Sequence, residues 1–267
     1  MYLSDIYIYP IKSLGGIRLP EAILEEKGLQ YDRRWMLTDA SGKFMSQRST
    51  PKLSLLQVSL SESGLEVRHK QDETIHISIP FEPKSTEKKT VTIWDDGVEA
   101  QLVDEEISNW FSTQLEIPCD LVIMPESTQR KLDEKYAVNG ESVSFADGMP
   151  YLLIGQGSLD DLNEKLEDPV PMDRFRPNLV FSGGKGFSED SWVQIQIGSA
   201  QFKIVKPCAR CIMTTIDQET GNKGKEPLKT LAGYRTIGKK VMFGQNMVLL
   251  KGYKIRIGDE LKVIEEK

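Results

Sequence analysis

What this chain has little of narrows it first. Histidine occurs twice, as His69 and His76, both in the alternating segment 65–79. A histidine-rich metal cage or a buried Ser-His-Asp relay therefore has little to work with, and solvated strand positions suit both residues. Cysteine occurs three times, as Cys119, Cys208 and Cys211, an odd count that argues against a disulfide framework and fits a reducing compartment. Three thiols also fall short of the four that an ordinary iron–sulfur cluster takes. No stretch approaches the roughly 18 consecutive apolar residues of a membrane span, and the opening Met1-Tyr2-Leu3-Ser4-Asp5-Ile6 lacks a basic segment followed by an apolar one. A cytoplasmic protein with no membrane contact is expected. Positive charge is in deficit, 34 Lys and Arg against 40 Asp and Glu for a net charge of −6, so nucleic acid is not an expected partner.

What is present reads as a soluble β-rich protein. The chain has 267 residues, 39% hydrophobic and 28% charged, enough for one or two domains with real cores. Up to residue 103 the pattern is that of strands. Tyr2 to Tyr9 alternates, Arg34 to Leu37 and Lys43 to Met45 flank an Asp-Ala-Ser-Gly turn, and Leu55 to Leu60 and Leu65 to Arg68 flank Ser61-Glu62-Ser63-Gly64. Val91 to Trp94 is β-branched and aromatic. Asp104 is placed to cap a helix whose Ile107, Trp110, Phe111 and Leu115 share a face.

Leu121 to Met124 resumes the strands, and the polar stretch from Pro125 to Glu141 reads as a surface loop. Ser158 is expected to cap a second helix bearing Leu159, Leu162 and Leu166, with Asp161 completing a box. Further strands are predicted over 178–181, 193–197, 201–205, 211–216, 247–250 and 261–264. The fold class is mainly β with a few helices, in two modules that meet near 118–128, assigned as residues 1–120 and 121–267.

Two patterns carry chemistry. Cys208-Ala209-Arg210-Cys211 is a Cys-x-x-Cys with three readings: a redox dithiol, half of a zinc site, or one thiolate ligand for a soft metal. Zinc would need Cys119 and distant histidines, and a dithiol would normally open a helix, whereas Ile212 to Ile216 reads as a strand. An adjacent Arg210 favours the thiolate. The second pattern is cations beside turns: Lys12-Ser13, Arg33-Arg34, Arg48, Arg174, Arg176 and Arg210. Gathered by the fold, they make an anion pocket suited to phosphate; left apart, they are solvated charges.

Tyr9-Pro10-Ile11-Lys12-Ser13, Asp32-Arg33-Arg34-Trp35, Phe175-Arg176-Pro177-Asn178, the segment from Cys208 to Asp217, and Phe243-Gly244-Gln245-Asn246 occur in the order seen in MOSC-domain proteins. The sequence resembles in particular the mitochondrial amidoxime-reducing component and its bacterial relatives, over nearly its whole length. That resemblance implies an N-terminal β-barrel-like module packed on a MOSC β-barrel domain, and a molybdenum–molybdopterin cofactor, with no pyridoxal phosphate. It assigns Cys211 as the molybdenum ligand, with Cys208 left a packing role. Arg210 and the backbone at Ala209 are implied as pterin contacts, Lys12, Ser13 and Arg33 as contacts to phosphate and pterin, and Arg176, Asn178 and Asn246 as contacts from the MOSC domain. The chain departs from the pattern at Gly148 and Met149, where two hydroxyls are lost and only main-chain contacts to the cofactor are expected, and at Asn246, which replaces an aromatic residue.

The activity so implied is reduction of small N-hydroxylated substrates at molybdenum, with Cys211 as ligand and Asp147 as the proton-relay candidate. No Gly-x-Gly-x-x-Gly turn or cluster motif is present to take electrons from a dinucleotide, so a separate electron-transfer protein, ferredoxin- or cytochrome-type with its reductase, is an expected partner. The alternatives are a carrier of the molybdenum cofactor or of sulfur without turnover of its own, and a non-catalytic binding module.

Overall fold

In the computed structural model, which describes all 267 residues, Leu3, Ile6 and Ile8 of Tyr2–Ile8 (β1) are at 0% exposure. A register irregularity between Leu3 and Asp5 breaks the alternation and brings Leu3 to the same core as Ile6 and Ile8. β2 (Ile17–Leu19), β3 (Glu21–Glu25), β4 (Gly28–Leu29) and β5 (Trp35–Asp39) follow, then β6 (Leu56–Leu60), β7 (Gly64–His69), β8 (Asp72–Pro80), β9 (Lys88–Ile93) and β10 (Asp96–Leu102). Helix α1 (Glu105–Leu115) leads to β11 (Cys119–Ile123). Later come β12 (Tyr151–Gly155), α2 (Gln156–Asn163), β13 (Leu179–Ser182), β14 (Trp192–Ile197) and β15 (Ala200–Arg210). Helix α3 (Leu228–Ala232) precedes β16 (Thr236–Ile237), β17 (Lys240–Lys251), β18 (Lys254–Arg256) and β19 (Leu261–Glu266). The protein is mainly β, and no helix is long and apolar enough to cross a membrane.

The largest sheet runs β19-β14-β15-β17-β12-β13-β1-β2, with β16 paired to β17. β1, from the start of the chain, lies antiparallel against β13, so the N-terminal strand belongs to a sheet built mostly after residue 150. A core of Leu3, Ile6, Ile8, Tyr151, Phe181, Trp192, Phe202 and Met247, among others, lies against it. The sheet β5-β11-β10-β9 and the sheet β6-β7-β8 belong to the earlier module, whose largest core includes Ile11, Leu14, Trp35, Leu56, Val67, Phe111 and Leu121. Ile8 is thus in one core and Ile11 in the other. The chain crosses between them at Tyr9-Pro10, pinned by Trp35 N–H to the Pro10 carbonyl at 3.0 Å and Lys12 N–H to the Trp35 carbonyl at 2.8 Å.

Most expected elements are where periodicity put them, with exceptions. Lys43 to Met45 forms no strand, only isolated bridges of Phe44 to Thr38 and Lys43 to Thr92, Leu166 lies past the end of α2 at Asn163, and three further segments differ. Asp104 caps α1 through the backbone N–H groups of Glu106 and Ile107, as its position implied. Ser158 does not cap α2: it lies inside the helix, and its hydroxyl donates to the buried Glu189 carboxylate while accepting from Phe187 N–H. Residues 212–215 form a 3₁₀ turn rather than a strand, because β15 ends at Arg210 where its partner β17 begins. The 125–141 stretch is strand-free but not simply a surface loop. Its Arg130 is buried, paired to Asp96, and donates to the carbonyls of Ser144 and Ala146.

Candidate functional site

The crossing from one core to the other opens a cavity of about 460 Å³. Its lining draws on both modules: Lys12, Ser13, Arg33 and Arg48 from the first, and Asp147 to Met149, Arg176, Asn178, Lys206 to Cys211, Lys240 and Asn246 from the second. Seven cations (Lys12, Arg33, Arg48, Arg176, Lys206, Arg210 and Lys240) face a single carboxylate, Asp147, in a chain whose net charge is −6. Such an inversion of local charge makes an anion site.

Backbone conformation aims several of these side chains. Ser13, Arg33 and Arg176 all have positive φ, at 72°, 51° and 52°, a left-handed conformation costing a non-glycine residue roughly 1–2 kcal/mol. The turn around Ser13 is held by buried Gln47, which donates to the Ser13 carbonyl and pairs with Gln218 across the module junction. Arg33 N–H donates to the Tyr9 carbonyl, while Tyr9 N–H reaches the Asp32 carboxylate, itself 2.5 Å from Arg33 Nη1. The buried Tyr9 ring has a guanidinium near it on each count, Arg33 at 4.4 Å and Arg176 at 4.1 Å from its centroid. Burial pushes the Tyr9 phenol up and lowers Arg176 to about 10, still cationic at neutral pH.

Lys12 Nζ donates to the Phe145 carbonyl at 2.8 Å and pairs with Asp147 at 2.5 Å. Burial lowers Lys12, with Asp147 opposing. Burial alone would raise Asp147, but Lys12 and Arg48 outweigh it and hold the carboxyl well below the usual carboxylate range. Asp147 is half-exposed to the cavity and 3.6 Å from Arg48. Arg48 Nη1 is also 3.6 Å from Cys211 Sγ, and its Nη2 is buried with no partner. Lys12 is thereby connected to Cys211 through one carboxylate and one guanidinium.

The two cysteines differ in setting. Cys208 and Arg210, two apart on β15, share a face, so Arg210 Nη1 meets Cys208 Sγ at 3.0 Å while its Nη2 donates to the Phe175 carbonyl. Arg210 Nε is buried and unpartnered. Cys211 lies just past the strand end and is exposed. A guanidinium therefore attends each thiol, Arg210 for Cys208 and Arg48 for Cys211. Cys208 is partly exposed in the cavity wall, rather than packed in a core as its expected role required.

Residues 1–118 match the MOSC N-terminal beta barrel domain and residues 140–262 the MOSC domain. Mitochondrial amidoxime-reducing component 1 of Mus musculus is 33% identical over 98% of this chain and 82% of its own length. The chain belongs to the MOSC family. The Homo sapiens protein of the same description is 30% identical, again over 98% of the chain and 82% of its own length. Molybdenum cofactor sulfurase of Oryza sativa subsp. japonica is 33% identical over 91% of the chain, which spans only 32% of the sulfurase.

In this MOSC protein the fold gathers Lys12, Ser13, Arg33, Arg48, Arg176 and Arg210 at one cavity, whereas Arg34 and Arg174 go elsewhere. Arg34 is buried against Glu25, and Arg174 holds the Thr214 carbonyl and Asp217. Ala209, Asn178 and Asn246 line the cavity too. The Asn178 carboxamide is engaged with the main chain of Leu152 and Tyr7, and Asn246 donates to the Pro207 carbonyl. A Cβ on Gly148 would meet nothing within 4 Å, so the missing side chain there opens the cavity, and Met149 packs with Leu132 and Val248. Sequence reasoning missed Lys206, Lys240 and Tyr136 in the lining and Arg130 behind it. Lys206 was legible as the cation two residues before Cys208; Arg130, inside a charge-rich stretch, had no signal.

Proposed function

We propose that this MOSC protein is a molybdenum-cofactor-binding oxidoreductase that reduces small N-hydroxylated compounds to the corresponding N–H compound and water, consuming two electrons and two protons. The observation that carries the reading is the convergence of seven cations on a cavity whose rim holds an exposed thiol beside Arg48. The donor set fits a phosphate-bearing, soft-metal cofactor. Buried Arg48 Nη2 and Arg210 Nε have no partner within the chain, and a thiolate is a soft ligand where lysine and arginine are none.

Lys12, Ser13, Arg33 and Arg176 would grip the anionic end of the cofactor, Arg33 and Arg176 both held against the Tyr9 ring. The backbone of Ala209 with Arg210 would hold the pterin, and Cys211 the metal. When bound, the molybdenum centre supplies a two-electron couple able to take one oxygen from the substrate. The chain orients that centre, leaves the Gly148 side open for substrate, and keeps Asp147 ionised beside Lys12. With its carboxyl held so low by Lys12 and Arg48, Asp147 is a weak proton acceptor, and its part is to position those two cations, Arg48 beside the thiol, rather than to relay protons.

A second reading, a cofactor or sulfur carrier, is favoured by the second thiol, Cys208, in the same cavity; the sulfurase relatives agree with it. Protein from a host that makes the cofactor is assayed for molybdenum, pterin and amidoxime turnover with dithionite. The oxidoreductase reading expects metal, pterin and turnover in the parent, loss of metal and turnover in Cys211→Ser, and retention of both in Cys208→Ser. Bound cofactor without turnover supports the carrier, and equal loss in both variants supports a dithiol.

A further inference from the structure

We propose that the lip of the cavity formed by residues 212–241 is the docking surface for a small acidic one-electron carrier protein; this rests on the oxidoreductase reading and gives its electron donor a place and a charge. Residues 212–241 carry six cations and three carboxylates, a net +3 where the whole chain is −6, and two of those carboxylates, Asp217 and Glu219, are taken by Arg174 and Lys70 from outside the lip. Lys229 pairs with Glu226 and Arg235 with Asp190. Lys223, Lys225, Lys239 and Lys240 have no carboxylate within 4.0 Å, and all four are exposed. In a protein with 40 acidic residues, four lysines of one segment left without acidic partners amount to a positive field presented to solvent.

The topology brings the segments of Lys240 and Lys223 to the segment that carries the thiol. Arg210 is in register with Val241, and Ile237 with Lys240 across the β16–β17 hairpin, so Cys211 and Ile212 emerge beside that hairpin. On the other side Ile216 bridges to Lys223, whose Nζ donates to the Arg48 carbonyl. Three large hydrophobic side chains stand out on the lip, Ile212 at 51%, Ile237 at 62% and Tyr234 at 39% exposure. Exposed apolar side chains on a segment that also carries unpaired charge of one sign suit a small, transient, electrostatically steered contact, the size class of redox encounters. Because Cys211 is itself exposed beside Ile212, a carrier seated here comes close to the residue that would hold the metal.

The test uses two acidic probes, a [2Fe–2S] ferredoxin and a b-type cytochrome, added in oxidised form to the ¹⁵N-labelled full chain. Amide shifts confined to 212–216 and 223–241 at low salt, lost at 0.3 M salt and lost in Lys225→Glu/Lys239→Glu, are expected from at least one probe. Shifts from neither, or shifts elsewhere, overturn the proposal whether or not the protein proves to be an enzyme. Co-sedimentation of the chain with phosphatidylserine vesicles in the absence of any carrier-induced shift assigns the lip to membranes instead and also overturns it. In the holoenzyme, carrier-driven turnover of an amidoxime is expected to fall at least tenfold in the double variant while turnover driven by a small viologen is unchanged. Equal carrier-driven rates in parent and variant sink the docking surface and leave the oxidoreductase reading intact.

Discussion

Tyr9 solves a problem that the cavity creates for itself. Arg33 and Arg176 repel, both have left-handed backbones, and both approach one buried ring to 4.4 and 4.1 Å. The negative face of an aromatic ring contributes about 0.5–2 kcal/mol per cation, which offsets part of that repulsion. There is room for the ring because residue 16 is glycine: a Cβ there would lie 2.4 Å from the Tyr9 ring. Tyr9→Leu is therefore expected to weaken inorganic phosphate binding by the full-length protein on the order of tenfold, the equivalent of about 1.4 kcal/mol, with Tyr9→Phe near the parent. Titration calorimetry at constant ionic strength reads the difference. If Phe and Leu lose affinity equally, the phenol hydroxyl and not the ring carries the effect.

Helix α2 shows at the level of an element how a remote group replaces a local cap. Glu189 is fully buried and accepts from Gly155 N–H at 3.1 Å and from the Ser158 hydroxyl at 2.8 Å, so it serves the N-terminus of α2 from another segment. Burial raises its carboxyl above the ordinary value of 4.5 despite those donors. The native state thus keeps a proton that the unfolded chain releases, and stability falls as pH rises from about 4.5 toward the raised value. Glu189→Gln is expected to flatten that slope in urea melts run between pH 4.5 and 7. Glu189→Ala should cost about 1–3 kcal/mol at any pH by leaving buried donors unmet. A parent slope unchanged in Glu189→Gln would show that other groups set it.

On the scale of the whole molecule, β1 ties the start of the chain to its second half. Leu3, Ile6 and Ile8 sit at 0% exposure in the core beneath the β13–β1–β2 edge, and burying three such side chains contributes roughly 5–9 kcal/mol at 1.5–3 each. That is comparable with the entire stability of a typical domain. Residues 121–267 expressed alone would lack β1 and also β3, the partner of β18. We expect this fragment to be insoluble or to unfold without a cooperative transition in calorimetry, and soluble cooperative material would show that the second module completes its own core. The same splice places the cation-lined cavity, since the residues from Tyr9 to Ser13 lie where the chain passes from one core to the other.

Alternation of apolar residues in 2–9, 56–60, 65–69 and 193–197, and the Asp104 cap, were legible because period and capping are local properties. So was the set of cations flanking turns. What pairing decides was hidden: 212–215 is apolar and β-branched enough for a strand, yet becomes a 3₁₀ turn because β17 offers it no partner. Likewise Ser158 looks like a cap until Glu189, distant in sequence, takes its hydroxyl. The sequence by itself determined a β-rich chain, the identities of the thiols and cations, and the ordered motifs of its family. Only the tertiary structure decided that Arg33, Arg48 and Arg210 face the cavity while Arg34 and Arg174 do not, and that Arg48 rather than Arg210 attends Cys211. The reason is physical. Charges at long sequence separation acquire their partners from the folding of two cores against each other, and no local pattern records that distance.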